Sequence, residues 1–292
     1  MNIKLSDAEK VFIIHGCQEG FRNDGRSCED YRPISVERGV LCTTDGSARV
    51  RVGGSDILVG AKCELLEVED SSKIVHRINF NVDCSANATP LFRGMGGDLY
   101  AEEVADFLSA AYNNDDCIPD LVKLSVSSNH YWNIYVDVVI LQCGGNIVDA
   151  ASIGVKSALH DMEICVLRTR KADENKMVVE VPDGFNTFNL DVSRAPLIVS
   201  VSKIGTSNIV DASLQEEACS LASLWVSVIP PTGTSPSLVT ATRQAGGASL
   251  DGASIPPMVQ LAVHSALQLH SQLDERLQEE PSDEALQSFL LS

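Results

Sequence analysis

The residues best placed to do chemistry stand at Cys143-Gly144-Gly145-Asn146, where an apolar strand pattern gives way to a helix pattern. Glycines at such a step let backbone N–H groups converge on an anion at the positive end of the helix. The spacing matches neither G-x-G-x-x-G nor the Walker loop. A tight turn that only redirects the chain accounts for the same residues. Carboxylates for general acid–base work are plentiful. Asp137 sits inside an apolar strand pattern, Asp83 ends another, Asp149 opens a helix and Asp211 stands just before a helix cap. Each equally suits a cap, a buried hydrogen-bonded carboxylate or a surface charge. The motifs G-x-S-x-G, H-E-x-x-H and C-x-x-C do not occur. The histidines (His15, His76, His130, His160, His264 and His270) show no ligand spacing, and His264 and His270 belong to different faces of a helix. Neither a metal nor a cofactor is expected.

Charge argues the same way. Lys and Arg total 22 against 40 Asp and Glu, a net charge of −18. So acidic a surface repels phosphate backbones, which makes the free chain a poor nucleic-acid binder. Basic residues gather only near the front, at Arg22, Arg26, Arg32, Arg38, Arg49 and Arg51. There, eight basic residues nearly balance nine acidic ones in the first 60 positions, as on an ordinary mixed surface. The nine cysteines are odd in number and unpaired in spacing, which predicts reduced, mostly buried thiols. MNIKLSDAEK places charges where a secretion signal needs an apolar core, and the densest apolar run, 134–141, is too short to span a bilayer. The expectation is a soluble intracellular chain.

These residues must be held by elements that the hydrophobic periods outline. Ser6-Asp7-Ala8-Glu9 reads as a capping box that opens a helix. Residues 48–52 and 57–61 alternate around Gly53-Gly54-Ser55-Asp56, a hairpin. Residues 79–83 and 131–143 read as strands, 99–112 and 146–160 as helices with Asn146 as cap. The plan then recurs. Residues 197–201 and 207–211 flank the turn Lys203-Ile204-Gly205, and Ser213-Leu214-Gln215-Glu216 opens a helix predicted to reach about Val228. A last helix spans about 257–279, with Met258, Leu261, Ala262, Ser265 and Leu269 on one face. Residues 170–186 and 230–236 read as surface connections, and the acidic stretch 274–284 as a solvated helix end or tail. Hairpin-then-helix thus occurs twice, which predicts an α+β chain of two packed subdomains.

Several of these segments together resemble the ribonuclease PH family. They are Arg22-x-Asp24-Gly25-Arg26, Gly46-Ser47-Ala48-Arg49-Val50 and Ser55-Asp56-Ile57-Leu58-Val59-Gly60. Asp83 to Pro90, Tyr135 to Val138 continuing through Gly144-Gly145-Asn146, and Lys203-Ile204-Gly205 with Val210 to Ser220 are similar more narrowly to its eukaryotic exosome-ring members. The resemblance implies a ribonuclease PH-like fold, with an N-terminal part like ribosomal protein S5 domain 2. It implies an N-terminal helix and turn at 1–30, domain 1 at 31–170, a connection at 171–193, domain 2 at 194–270 and an acidic tail at 271–292. It implies partners: other ribonuclease PH-like ring subunits, S1/KH cap subunits, catalytic exosome nucleases and RNA within the assembled complex, with no membrane. The implied residence is nucleus, nucleolus and cytoplasm.

Active members of that family cleave RNA from its 3′ end with inorganic phosphate, held by a loop resembling Asp-Gly-Gly-Thr-Arg. The matching residues, Cys143, Gly144, Gly145, Asn146 and Ile147, keep the glycines but lose the hydroxyl and the arginine. A charge-assisted bond of that kind is worth about 1.5–3 kcal/mol. Of the family's paired aspartates, a count back from Pro196 finds Asp183 and Asn189, with Asp191 the alternative. Of its arginine-rich stretch only Arg93 remains, in Phe92-Arg93-Gly94-Met95-Gly96-Gly97. The resemblance therefore implies a non-catalytic subunit, against the alternative of an active or composite-site phosphorolytic exoribonuclease. Arg93, Lys62 and Arg49 are the candidate RNA contacts.

Overall fold

The structure is a computed structural model that describes residues 5–67, 78–93, 97–114, 116–127, 129–171, 177–182, 186–233 and 235–278. Its core is two antiparallel-rich sheets with one helix wedged between them. The chain opens with α1 (Asp7–Gln18), capped as the sequence predicts: the Ser6 hydroxyl accepts from Glu9 N at 3.3 Å, and the Glu9 carboxylate accepts from Ser6 N at 2.7 Å. The first sheet follows, from β1 (Ile34–Arg38), β2 (Gly46–Val52), β3 (Ser55–Glu67), β4 (Ile78–Cys84) and β5 (His130–Gln142), in the order β1-β2-β3-β5-β4. The β2–β3 hairpin turns at Gly53-Gly54, pairing Val52 with Ser55. Helix α2 (Asp98–Tyr112) lies between β4 and β5 in sequence and turns Val104, Phe107, Leu108 and Ala111 inward, as their spacing requires.

Helix α3 (Ile147–Asp161) follows β5. It packs on β2 and β3 of the first sheet and on β10 of the second, so every residue from 147 to 159 is buried. Short strands β6 (Glu163–Cys165), β7 (Arg168–Lys171), β8 (Met177–Glu180) and β9 (Thr187–Asn189) then pair β6 with β9 and β7 with β8. The stretch expected as a bare connection therefore carries strands. The second sheet contains β10 (Leu197–Ile204), β11 (Ser207–Val210), β12 (Ala222–Ile229) and β13 (Leu238–Ala245), in the order β11-β10-β12-β13.

Two expectations are corrected here. The helix expected to reach Val228 is only α4 (Leu214–Cys219), and residues 222–229 form β12. That strand is central in its sheet and buried along nearly its whole length, so its apolar run shows no alternation that would mark it as a strand. The tail expected from 271 is helical as far as Gln278: the helix expected at about 257–279 is α5 (Ile255–Gln278), and Leu273 and Leu277 are buried. Within α5, Leu261 is only half-buried, while Met258, Ala262, Ser265 and Leu269 face the core as expected. Glu279, Glu280, Asp283 and Glu284 lie outside the described residues.

Helix α5 is held by a buried polar contact. Lys156 on α3 donates to Asp274 Oδ1 at 2.7 Å and to His270 Nδ1 at 3.1 Å, and His270 Nε2 donates to the Val228 carbonyl at 3.0 Å. Burial, helped by the Lys156 charge, pushes the His270 imidazole down to about 3. It is therefore neutral and acts as a relay between α3 and β12. His264 is exposed and pairs with Gln268 instead, so the two histidines do lie on different faces.

Candidate functional site

The turn at 143–147 joins β5 to α3 at the seam between the two sheets. Its glycines are required by contact. A Cβ on Gly144 would fall 2.5 Å from the Gly54 carbonyl carbon, and one on Gly145 would fall 2.6 Å from Leu214 N. Gly145 also has φ +94°, a region that side chains rarely enter. The turn is thus pinched between the β2–β3 hairpin and the start of α4.

An anion site needs unengaged N–H groups, and the turn's own are taken. Gly144 N donates to Ser55 Oγ at 3.0 Å. Gly145 N donates to the Cys143 thiol, which burial nevertheless pushes up to about 11. Asn146 N donates to Glu217 Oε1 at 2.6 Å. The carbonyls are engaged too: Gly144 O accepts from Arg32 Nη1 at 2.8 Å, and Gly145 O accepts from Ser55 Oγ at 2.6 Å and Arg32 Nη2 at 3.0 Å.

Asn146 occupies the N-cap position without capping α3. It adopts a left-handed conformation, φ 55°, and no cap bond forms. Its side chain points inward. Nδ2 donates to Asp149 Oδ2 at 3.0 Å and Asp211 Oδ1 at 2.8 Å, and Oδ1 accepts from Ser200 Oγ at 2.6 Å. The expectation of a cap is therefore corrected. Asn146 is the centre of a buried network, and both N–H groups of its side chain are spent, leaving it no donor for an anion. Asp149 receives two further bonds, from Tyr31 Oη at 2.6 Å and Ser200 N at 2.8 Å. Burial pushes its carboxyl up to about 7 against these donors. Ile147, expected to stand in place of an arginine, is 1% exposed and belongs to the core.

Three of the front-end arginines, which suit an ordinary mixed surface by sequence, are structural. Arg22 is bidentate to Glu216 at 2.6 and 2.8 Å and also donates to the Val210 and Asp211 carbonyls. Arg26 and Arg32 converge on Asp211, the latter through Nε at 2.8 Å, Nη2 at 2.7 Å and its backbone N at 2.7 Å. Burial opposes ionisation of Asp211, but the Arg32 hydrogen bonds and charge hold its carboxyl below the ordinary range. Asp211 is itself left-handed, φ 47°. The N-terminal segment is thereby clamped to the second sheet. The sequence signal was present in Arg22, Arg26, Arg32 and the Asp211-to-Glu216 capping segment, but nothing local told which pairs with which.

In front of α3 opens a cavity of about 370 Å³, walled by Tyr100, Glu103, Val148, Glu217 and Trp225 among others. Among the described residues its lining includes two carboxylates and no lysine, arginine or histidine. Burial raises the Glu217 carboxyl above its ordinary range, opposed by the Asn146 N–H and by Arg32.

The candidate RNA contacts do not converge. Arg49 on β2 is bidentate to Asp56 at 2.7 and 3.0 Å, so its charge is already answered. Lys62 is exposed on β3 opposite Tyr135. Arg49 pairs with Leu58, four residues before Lys62, which sets the two about 13 Å apart along the sheet. Arg93 is exposed beyond β4, whose C-terminal end lies beside Ile140 and hence at the same end of the sheet as the turn. Of the expected acidic pair, Asp183 lies outside the described residues. Asn189 donates to the Met162 carbonyl, and Asp191 is exposed. No group of three or more metal-ligating side chains occurs among the described residues.

Comparison with known proteins agrees with this architecture. Residues 30–165 match the model of domain 1 of the 3′ exoribonuclease family, RNase PH, and residues 195–264 match domain 2. A Thermococcus kodakarensis protein named exosome complex component Rrp42 is 35% identical over 206 residues, covering 70% of this chain and 74% of its own length. A Dictyostelium discoideum relative bearing the RRP42 name is 28% identical over 94% of this chain and 98% of its own. Among solved structures, a chain of the Archaeoglobus fulgidus exosome with RNA bound to the active site superposes with a TM-score of 0.76 at 21% identity, covering 91% of this chain and 98% of that one. That superposition speaks for the fold.

Proposed function

The chain belongs to the 3′ exoribonuclease family built on the ribonuclease PH fold, and from that premise we propose that it is a non-catalytic subunit of an exosome ring. The observation that carries the reading is the state of the 143–147 turn. Phosphorolysis needs a cradle that offers N–H groups and a cation to a dianion. Here the three N–H groups of Gly144, Gly145 and Asn146 are spent inside the protein, and the cavity beyond them presents Glu103 and Glu217. A phosphate placed there would face like charge in a partly desolvated space, which costs several kcal/mol at an effective dielectric near 20. Ring membership is supported by the exosome names of relatives aligned over most of the chain.

In this reading the chain helps to form an RNA channel that supports 3′-to-5′ processing. Its partners are other ribonuclease PH-like ring subunits, S1/KH cap subunits and the catalytic nucleases, and it resides in nucleus, nucleolus and cytoplasm. Its net charge of −18 leaves RNA contact local and dependent on neighbours that supply cations. Two measurements test it. The tagged chain should co-purify with other ring subunits in stable stoichiometry, and the purified chain should release no nucleoside diphosphates from RNA in the presence of phosphate. A chain that stays monomeric and alone, or one that phosphorolyses RNA, overturns the proposal.

One observation favours a second reading, a composite site. Arg93 is exposed at the same end of the sheet as the turn, where a neighbour's active site could use it. Replacing it by alanine in an assembled, active ring should lower that ring's phosphorolysis if the reading holds, whereas Arg49→Ala, whose guanidinium already serves Asp56, should not.

A further inference from the structure

We propose that Glu217 is a built-in anion for the N-terminus of α3, and that its carboxylate keeps inorganic phosphate and the RNA phosphodiester out of this chain's turn. The inference rests on the non-catalytic reading above and gives it a physical agent. A missing arginine explains why phosphate would bind weakly. An occupied position explains why it would not bind at all.

The geometry is direct. Glu217 Oε1 accepts from Asn146 N at 2.6 Å, the short distance of a charge-assisted bond. Asn146 N is the N–H just ahead of a helix of 15 residues, where the aligned peptide dipoles favour negative charge. The carboxylate thus stands where an oxyanion bound at this turn would have to stand. It is also held there. Leu214 N donates to the Gly144 carbonyl at 3.2 Å, and Gly145 has no room for even one added carbon against Leu214. The adjoining Glu216 is anchored by Arg22. Helix α4 is therefore fixed against the turn, and only the rotamers of the Glu217 side chain remain to be ordered. A free phosphate would have to displace a tethered competitor whose effective concentration is set by this rigidity. It would then meet Glu103 across the cavity, with no cation in the described lining to offset its own negative charge.

The test reads the Asn146 amide itself, in amide nitrogen–proton correlation spectra of the full-length chain at neutral pH, titrated with inorganic phosphate into the millimolar range. In the wild type the Asn146 amide proton should resonate downfield and stay unmoved by phosphate. In Glu217→Ala it should move upfield and then shift saturably as phosphate is added. Glu217→Gln keeps the size and the acceptor oxygen but not the charge, so it should move the resonance part of the way. It also serves if the alanine variant does not fold. A wild-type amide that responds to phosphate would overturn the proposal, because the position would be open. So would variants whose Asn146 resonance stays at the wild-type position, or a folded Glu217→Ala chain that phosphate leaves unmoved. These failures are separable from failure of the functional reading. Nucleoside diphosphate release by the wild-type chain would sink the non-catalytic assignment, whereas a phosphate-responsive amide in a chain that releases none would sink this inference alone.

Discussion

Asp211→Ala should be among the most damaging single changes available in this chain, because Asp211 is where three segments meet. Its side chain is fully buried and takes hydrogen bonds from Arg26, Arg32 and Asn146. The two guanidinium partners are themselves only 12% and 10% exposed. Arg26 keeps its pair with Asp24, but removing the carboxylate leaves the enclosed Arg32 charge without an ion-pair partner, and breaking a buried pair in this way costs about 3–5 kcal/mol. A further contribution comes from the backbone. Asp211 sits at φ 47°, which Asp tolerates better than Ala, a difference on the order of 1 kcal/mol. The expected loss is about 4–6 kcal/mol, against a total of about 5–15 kcal/mol for a folded domain. Asp211→Asn keeps the tolerant backbone and one acceptor oxygen but not the charge, so about 2 kcal/mol is expected. Urea unfolding followed by the fluorescence of Trp132 and Trp225 reads both numbers. With a slope near 3 kcal/mol per molar, the alanine variant should unfold about 1.5 M earlier. Combining it with Arg32→Ala should cost at least about 1 kcal/mol less than the sum of the two, since each single change strands the other's charge. A loss below about 1.5 kcal/mol for Asp211→Ala, or strict additivity with Arg32→Ala, would refute the claim that this clamp joins the N-terminal segment to the second sheet.

Gly145→Ala should lose about 3 kcal/mol in a thermal melt, because the added carbon meets backbone rather than a yielding side chain and the φ of +94° strains it further; a melt like the wild type's would show that the turn can shift. The pH dependence of His270 has a definite sign. Its folded value is about 3 against 6.5 ordinarily, so below 6.5 the unfolded chain takes up a proton that the folded chain refuses. Stability from this source is complete above 6.5 and falls by about 1.4 kcal/mol per pH unit down to about 3. The gap in stability between the wild type and His270→Leu should narrow at that rate as the pH is lowered, and a constant gap would place the proton elsewhere. Leu273→Ala should cost about 2–4 kcal/mol, as a buried core leucine does; a loss below about 0.5 kcal/mol would return 271–278 to a solvated tail.

The local elements were legible wherever one segment carries its own signal. The Ser6–Glu9 capping box, the Gly53-Gly54 hairpin and the inward stripe of α2 depend on residues a few positions apart, and all three stand as their patterns predict. Strand β12 was not legible, because a strand buried between two others has no polar face to give it a period. The reach of α5 was legible almost to its end, but the charges at 274–276 hide that Leu273 and Leu277 are buried.

At the site, the amino-acid sequence alone determined the glycines of the turn, the absence of a cation at Ile147 and the surplus of acid. Only the tertiary structure decided what each neighbour does. Asn146 is a candidate helix cap by sequence, and it becomes a buried hub because Ser200, Asp149 and Asp211 surround it. Arg32 is one more basic residue near the front, and it becomes half of a clamp with a partner 179 positions away. Glu217 is an ordinary residue in an acidic helix start, and it becomes the anion of a turn 71 positions earlier. Periodicity and propensity act over a few residues, whereas the pairing of charges follows from how the sheets pack around α3, and no short window of sequence contains that distance.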